Sequence, residues 1–451
     1  MKSCHLLPVL AAAIACSLSS VQAAEFSAGG YHVVRAEGGV VSGLGDGGYG
    51  QLGAQPLGRP ATVAGLADVT AVAAGGFSTL ALKADGSVWF LGESTLQHTT
   101  PHGTPDPVFT PRQVPGLAGI DAIAAGHRHY LALDAGTGDL YAWGHNGSGQ
   151  VGDGGLQDVA TPALVLGGVV AMSAGDAFSL AVKADGTLWA WGRNHHGQLG
   201  LGDTADRLAP VQVPGILNAM AIAAGGQHTL VQLVDATVLA AGHNAFGQLG
   251  LGHTTTPVTV FTAVPALEGV LQVAAGYFHS VALDAGGHIR VWGRNFEGQC
   301  GGGSAAPVIF SSPQPLAGLA DAPVAMAAGY HFTLVELADG SIVGTGSNAD
   351  GQLDGLALAD QDDSPKVFEP RNVPLQTDLV PLAVASLSPA NGATGLPGAI
   401  LLVLTFDEPV VPVAGTIRIR ERLGKFGDTP RRMGNGLTSR NPAQGAPAFL
   451  F

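Results

Sequence analysis

Histidine recurs at one position of an internal repeat, and a ring of imidazoles is one arrangement that binds a metal ion. The position lies three residues after a recurring glycine and is occupied by His32, His129, His228 and His279. A hydrogen bond from each imidazole to the backbone of the neighbouring repeat explains the same recurrence without any ligand. His127 with His129, and the adjacent His195 and His196, have no Cys or acidic residue at ligand spacing. The sequence therefore favours a structural role for the recurring histidines and predicts no metal site.

Two kinds of glycine-rich loop resemble ligand loops, and both lack part of the required motif. Residues 45–50 have neither the Lys nor the following helix of a phosphate loop. The loops near Asp153 and Asp203 supply one carboxylate each, which is too few for calcium. No nucleophile occurs with a base and an orienting acid, and no pair of carboxylates recurs at a spacing suited to glycoside hydrolysis. We therefore predict no catalytic residue and no cofactor.

One loop of each repeat carries residues that differ from repeat to repeat and that are suited to binding a partner. Two adjacent positions in this loop are occupied by Gly48 and Tyr49, Gly147 and Ser148, His195 and His196, Ala245 and Phe246, Phe296 and Glu297, and Ala349 and Asp350. Binding residues gather on loops of rigid scaffolds, and aromatic side chains dominate interface hot spots. The candidate binding residues are Tyr49, His195, His196, Phe246, Phe296, Glu297 and Asp350. The alternative is that these side chains fold back onto their own repeat.

Two recurring residue types indicate the elements that position this loop. An Ala-Gly pair ends a short strand at intervals of about 50 residues, at Gly29, Gly75, Gly126, Gly175, Gly225, Gly276 and Gly329. A Gly-Gln pair follows the variable loop, at Gln51, Gln150, Gln198, Gln248, Gln299 and Gln352, and the second repeat lacks it. Asp-Gly turns such as Asp85-Gly86 join apolar stretches into antiparallel strands.

Seven such units predict an all-β, seven-bladed β-propeller. A unit of four short strands cannot bury both sheet faces alone, so the units must pack radially on one another. The composition agrees, because 68 Gly and 28 Pro residues in a chain with only 12% charged residues suit short strands and tight turns. An open solenoid is the competing architecture, but neither end has a polar capping repeat. The repeats run from Ser27 to residues 370–374, which favours a split blade that joins the two ends of the ring.

The sequence resembles the regulator of chromosome condensation repeat family over residues 25–376. The residues that carry the resemblance are Trp-Gly-Arg-Asn-His-His-Gly-Gln-Leu-Gly-Leu-Gly at 191–202 and Ala-Ala-Gly-Gly-Gln-His-Thr-Leu at 223–230. The resemblance implies a seven-bladed propeller. It implies function far less, because the family includes a nuclear guanine-nucleotide exchange factor that docks on chromatin and secreted bacterial propellers that inhibit β-lactamases.

Residues 1–24 have the pattern of a secretory signal peptide. An apolar run at 6–15 is followed by small residues that end at Ala23 and Ala24, the two predicted cleavage sites. Lipidation of Cys16 at a bacterial lipoprotein site is the alternative. After cleavage only Cys300 remains, so no intrachain disulfide is expected. No other apolar run is long enough to span a membrane.

The C-terminal part differs from the repeats. Residues 387–395 and 404–410 resemble the start of a bacterial immunoglobulin-like surface domain, which predicts a partial domain at 377–420. A complete sandwich needs about 100 residues, so we expect the fold to be an incomplete β-sandwich-like tail. The alternating pattern is lost in residues 421–451, for which we expect disorder.

These features together predict a secreted, periplasmic or envelope-exposed monomer that binds a protein or a surface glycan through its rim loops and is not an enzyme. The net charge of −14 disfavours binding to nucleic acid, and with it guanine-nucleotide exchange on chromatin. Two alternatives stay open. One is a hydrolase that acts on envelope carbohydrate at a site in the central channel, and the other is a structural module of a larger surface protein.

Overall fold

A computed structural model describes residues 26–53, 60–93, 107–265, 267–303, 305–353 and 366–374, and short strands at 384–388, 403–406, 438–439 and 448–450. The chain divides into two units, Met1–Thr377 and Asp378–Phe451. The predicted signal peptide and Cys16 lie outside the described residues, as does most of 377–451. The limits predicted for these segments therefore stay predictions.

Tight turns build the blades, as the Asp-Gly pairs predict. Gly86 has a φ of +76°, a value that glycine adopts without steric cost. The Asp85 carboxylate accepts the backbone N–H of Ser87 at 2.9 Å, which holds the turn closed. The flanking strands consequently pair antiparallel from Ser78 opposite Gly92 to Leu82 opposite Val88.

The first unit is the predicted seven-bladed β-propeller, built from seven four-stranded antiparallel sheets. Blade 1 contains β1 (Phe26–Ala28), β2 (His32–Glu37), β3 (Val40–Gly45) and β4 (Ala61–Thr62), and blade 2 contains β5 (Val69–Ala74), β6 (Ser78–Lys83), β7 (Val88–Glu93) and β8 (Pro107–Gln113). Blade 3 contains β9 (Ala122–Ala125), β10 (His129–Asp134), β11 (Asp139–Gly144) and β12 (Val159–Leu166), and blade 4 contains β13 (Val169–Ala174), β14 (Phe178–Lys183), β15 (Leu188–Gly192) and β16 (Arg207–Gln212). Blade 5 contains β17 (Ala219–Ala224), β18 (His228–Leu233), β19 (Val238–Gly242) and β20 (Val258–Ala263), and blade 6 contains β21 (Val270–Ala275), β22 (His279–Asp284), β23 (Ile289–Arg294) and β24 (Ile309–Pro315). Blade 7 contains β25 (Pro323–Ala328), β26 (Phe332–Leu337), β27 (Ile342–Ser347) and β28 (Lys366–Val373).

The first strand of every blade lines the central channel, and the hydrophobic core lies between blades. Each of seven clusters of buried side chains joins two adjacent blades. Leu180 and Val231, for example, are fully buried in the cluster between blades 4 and 5. No blade buries both of its own sheet faces, so the blades depend on their neighbours for a hydrophobic core.

The predicted split blade is wrong, because every blade is one uninterrupted stretch of chain. The Ala-Gly strand is the innermost strand of its own blade, so the first repeat already supplies a complete sheet. Blade 7 meets blade 1 without a shared strand, with Phe26 and Val33 packed against Phe332 and Leu353. One backbone hydrogen bond, from Tyr330 N–H to Gly29 O at 3.2 Å, joins the same two blades.

The recurring glycines explain how closely the blades approach one another around the channel. A Cβ atom on any of the seven would lie within 2.8 Å of the carbonyl oxygen of the equivalent glycine in the next blade. The series runs from Gly29 to Gly75, Gly126, Gly175, Gly225, Gly276 and Gly329, and then back to Gly29. Glycine is therefore required at these positions by contact between backbones.

The second unit contains one small antiparallel sheet. It is formed by β29 (Val384–Ser388), β30 (Val403–Phe406), β31 (Thr438–Ser439) and β32 (Ala448–Leu450), in the order β29-β30-β32-β31. The first two strands lie in the segment predicted to be immunoglobulin-like, and the last two lie in the segment predicted to be disordered.

Candidate functional site

The recurring Gln side chains fix the backbone of the variable loops. In each loop the Gln Oε1 atom accepts the N–H of the residue two positions earlier, at 2.8 to 3.1 Å. The residues held in this way are Tyr49, Ser148, His196, Phe246, Glu297 and Asp350. The bond uses only the backbone N–H of the anchored residue. Each anchored position therefore accepts any side chain, which accounts for the variety of residues found there.

Five of these Gln residues also attach their loops to the following blade. The backbone carbonyls of Gln51, Gln150, Gln198, Gln248 and Gln299 accept hydrogen bonds from hydroxyl groups of the next blade at 2.7 to 2.8 Å. The donors are Thr79, Ser179, Thr229, Ser280 and Thr333. Each of these five loops therefore lies over a junction between two blades and is held rigid by both.

The recurring histidines take part in this attachment. The Nε2–H groups of His32, His129, His228 and His279 donate to hydroxyl groups of the next blade at 2.8 to 3.0 Å. The predicted acceptor, the neighbouring backbone, is wrong, because each hydroxyl already donates its own proton to a Gln carbonyl and presents its oxygen to the imidazole. Burial lowers the pKa of His129 to about 4 and the pKa of each of the other three to about 3, which keeps all four rings neutral.

Four of the candidate binding residues come together on blades 4 to 6. The ring centroids of Phe246 and Phe296 are 5.9 Å apart, and His243 links His196 to Phe246 at 4.8 and 5.8 Å. The Arg294 guanidinium lies 4.7 Å from the Phe296 ring centroid, and its ion pair with Glu297 has a length of 2.8 Å. The structure therefore brings together four residues that the sequence identified as candidates, namely His196, Phe246, Phe296 and Glu297.

The other three candidates lie apart from that group. Tyr49 contacts Phe77 on the opposite side of the ring, with centroids 4.7 Å apart. His195 is exposed and pairs with Asp206 at 3.4 Å. Asp350 is half-buried, and burial together with the Asp46 carboxylate raises its pKa.

Sequence reasoning missed a second set of residues, located in the turn between the first and second strands of each blade. This turn emerges at the same end of the blade as the loop after the third strand, because antiparallel strands alternate in direction. Its aromatic members are Tyr31, Phe77, His127, Tyr277, Phe278, Tyr330 and His331. Like the loop residues, they vary between repeats directly beside a recurring glycine, and that signal would have identified them.

Together the two sets form a continuous row of ring contacts across one face of the propeller. It runs through Tyr49, Phe77, Tyr31, Tyr330, Tyr277, Phe278, Phe246 and Phe296, with successive centroids 4.6 to 5.9 Å apart. We call these eight residues the aromatic band. The band crosses the channel mouth and joins candidates that appear unrelated in the sequence.

The charged groups beside the band are paired. Arg128 donates to the buried Glu93 carboxylate at 2.9 and 3.1 Å, and Arg193 donates to Asp176 at 3.3 Å. Burial lowers the pKa of His243 to about 4. The face consequently presents aromatic surface with little free charge, a character typical of the centre of a protein interface.

No group of three or more His, Cys, Asp or Glu side chains within the described residues is arranged to hold a metal ion. The described part of the chain likewise has no helix with the length and apolar character needed to cross a membrane.

Comparison with known sequences identifies the repeat itself. A family model described as the regulator of chromosome condensation (RCC1) repeat matches residues 137–182, 185–232 and 235–283. The human E3 ubiquitin-protein ligase HERC2 is 37% identical over 130 residues, which are 27% of this chain and 3% of that protein. The mitochondrial RCC1 domain-containing protein RUG3 of Arabidopsis thaliana is 34% identical over 124 residues, or 26% of this chain and 27% of that protein. This chain thus matches only a small part of each relative.

Comparison with solved structures supports the fold. Yeast RCC1 (Prp20), solved bound to Kap60, superposes with a TM-score of 0.63 at 22% identity, covering 73% of this chain and 82% of that one. Human WBSCR16 superposes with a TM-score of 0.58 at 22% identity, covering 70% and 84% of the two chains.

Proposed function

The chain carries regulator of chromosome condensation repeats in a seven-bladed β-propeller, and we propose that it is an exported, non-enzymatic protein that binds a protein partner on the aromatic band. The observation that carries the proposal is the band itself. Eight aromatic side chains form a row of ring contacts on one face, on loops and turns that are hydrogen-bonded to the neighbouring blade. Aromatic side chains held in a fixed position are typical of the hot spots of protein interfaces.

The pairing of charges supports a protein partner. Arg294 lies over Phe296 and Phe246 and is held there by Glu297, so its cation is already fixed before a partner arrives. A preorganised Arg loses less side-chain entropy on binding than a mobile one. The band therefore suits a partner that inserts apolar or aromatic side chains between these rings.

Export is the part of the proposal that rests on the sequence. The apolar run at 6–15 and the small residues up to Ala24 have the pattern of a cleaved leader. Export and the charge of −14 both argue against a role on chromatin. A monomer is proposed because the innermost strand of each blade, which is an edge strand, faces the channel, where another copy of the chain cannot pair with it.

Among the alternatives, a hydrolase with its site in the channel has less support. Asp176 is the one carboxylate among the described residues that line the channel cavity. Its two oxygens already accept hydrogen bonds from His127 and Arg193. Glycoside hydrolysis normally uses two carboxyl groups, one of which must release or accept a proton.

The first test is to identify the partner and then to remove two rings of the band. A pull-down from periplasmic or extracellular material with the mature chain supplies the partner. We expect Phe246→Ala combined with Phe296→Ala to weaken its binding by at least about 1–2 kcal/mol, roughly tenfold, because the two rings contact each other in the band and both lie under the Arg294 guanidinium. Calorimetric titration measures the loss.

A matched variant controls for the removal of apolar surface. Phe109 and Leu164 are 43% and 58% exposed and lie on the outer strands β8 and β12. Phe109→Ala combined with Leu164→Ala should leave the affinity unchanged. Equal losses in the two double variants, or an unchanged affinity in the first, would remove the band from the interface.

A further inference from the structure

The central channel contains a cavity of about 240 Å³, bounded by the first strands of the blades. Most of its lining consists of Ala and Gly, and its mouth is formed by His127, Asp176, Tyr277 and Tyr330. A cavity of this volume is large enough for one six-membered sugar ring and too small for a folded peptide segment.

Two buried polar atoms at the mouth have no hydrogen-bond partner in the protein. They are the hydroxyl oxygen of Tyr330 and the Nε2 atom of His127. The two rings meet nearly edge-on, with centroids 5.8 Å apart. Since buried polar groups are nearly always satisfied, this pair points to a polar ligand.

The chemistry of the pair defines the group that would satisfy it. His127 Nδ1–H donates to the Asp176 carboxylate at 2.8 Å, which leaves Nε2 as the ring nitrogen without a partner. The Tyr330 hydroxyl can both donate and accept a hydrogen bond. A ligand hydroxyl group can also do both, so it can satisfy both atoms.

The charged groups at the mouth are paired with one another. The Asp176 side chain is only 9% exposed and accepts hydrogen bonds from both His127 and Arg193. The Arg128 guanidinium is bound to the Glu93 carboxylate. These groups therefore offer a charged ligand no unpaired counter-charge. A neutral ligand with several hydroxyl groups fits best.

We propose that the channel mouth binds one pyranose ring of a glycan, with sugar hydroxyls hydrogen-bonded to Tyr330 and His127. Tyr277 lines the same cavity in an edge-on contact with Tyr330, their ring centroids 4.9 Å apart, and it supplies an aromatic wall of the kind typical of small-molecule pockets. The hydroxyl groups of Ser27 and Ser173 belong to residues lining the same cavity. Both unpaired atoms are buried in this structure, so the proposal requires the Tyr330 side chain to turn about its Cα–Cβ bond when the sugar enters.

The test is a titration of the complete mature protein, followed by saturation-transfer NMR, with a panel of pyranose monosaccharides that includes N-acetylglucosamine. Choline and inorganic phosphate serve as the cationic and anionic probes. We expect at least one pyranose to bind saturably and neither charged probe to bind. Tyr330→Phe, which keeps the ring and removes only the hydroxyl, should weaken the sugar at least tenfold.

Two further measurements separate this site from a structural effect and from the protein interface. Tyr141→Phe removes a hydroxyl on strand β11, outside the cavity lining, and should leave sugar affinity unchanged. The thermal midpoint of Tyr330→Phe should equal or exceed that of the wild type, since the hydroxyl has no internal partner. Binding of no pyranose, binding of choline or phosphate instead, or an unchanged sugar affinity in Tyr330→Phe would overturn the proposal. The Phe246 and Phe296 double variant keeps the mouth intact, so protein docking can fail while sugar binding persists.

Discussion

Gly225→Ala should destabilise the propeller by about 3 kcal/mol, the upper part of the range for overpacking a well-packed interior. The new Cβ atom would lie 2.5 Å from the carbonyl oxygen of Gly276 and 2.5 Å from Cε1 of His228. Neither neighbour can yield easily, because one is backbone of the next blade and the other is a fully buried ring. Urea unfolding of the mature protein, followed by circular dichroism, measures the change.

Gly167→Ala provides the comparison. Gly167 does not have a left-handed backbone conformation, and its nearest neighbour to a new Cβ would be the Asp139 carboxylate at 3.7 Å, an ordinary contact. We expect a change within about 0.5 kcal/mol. If the two variants unfold at the same urea concentration, the backbone contact between blades is not what requires glycine at Gly225.

Acidification from pH 6.5 to about pH 4 should destabilise the ring strongly, because the unfolded chain can protonate histidines that the ring keeps neutral. The four buried histidines have folded-state pKa values of about 3 to 4, below their ordinary value of 6.5. The unfolded chain therefore binds more protons than the folded chain in this interval, and stability falls as the pH falls. Each histidine contributes about 1.4 kcal/mol per pH unit, so the four together contribute roughly 5 kcal/mol per unit.

His228→Gln isolates one of these contributions. The Gln amide can still donate to Ser280, which His228 contacts at 2.8 Å, but it cannot take up a proton. We expect the dependence of the unfolding free energy on pH between 6.5 and 4 to decrease by about a quarter. His253→Gln, at an exposed position on a loop, should not change the dependence. An identical dependence in all three proteins would show that protonation of His228 does not control acid unfolding.

The repeat made the ring predictable, because glycines and glutamines recur where backbone geometry is fixed. The positions of Gly225 and Gln248 in the repeat are enough to locate the end of the innermost strand, which lines the channel, and the end of the variable loop. Contacts between blades could not be derived in the same way. Tyr49 and Phe246 occupy equivalent loop positions, yet only the ring geometry shows that Phe246 lies against Phe278 while Tyr49 lies against Phe77.

The histidines show the same limit at the scale of single atoms. Their periodic spacing indicated a bond to the neighbouring blade, and that bond is present for His32 and its equivalents. The acceptor is the hydroxyl of Thr79, 47 residues away, and it accepts from His32 because its own proton is donated to the Gln51 carbonyl. Periodicity predicts that a contact exists, whereas the donor and acceptor of each hydrogen bond between blades can be assigned only from the three-dimensional structure.

The uninterrupted blades also bear on how such a ring changes over generations. Each sheet is encoded by one continuous stretch of sequence, and the seam between blades 7 and 1 holds without a shared strand. An in-frame duplication or deletion of one repeat therefore adds or removes a whole wedge and leaves no half-sheet to be completed elsewhere. The number of blades, and with it the width of the channel, can change through a single genetic event.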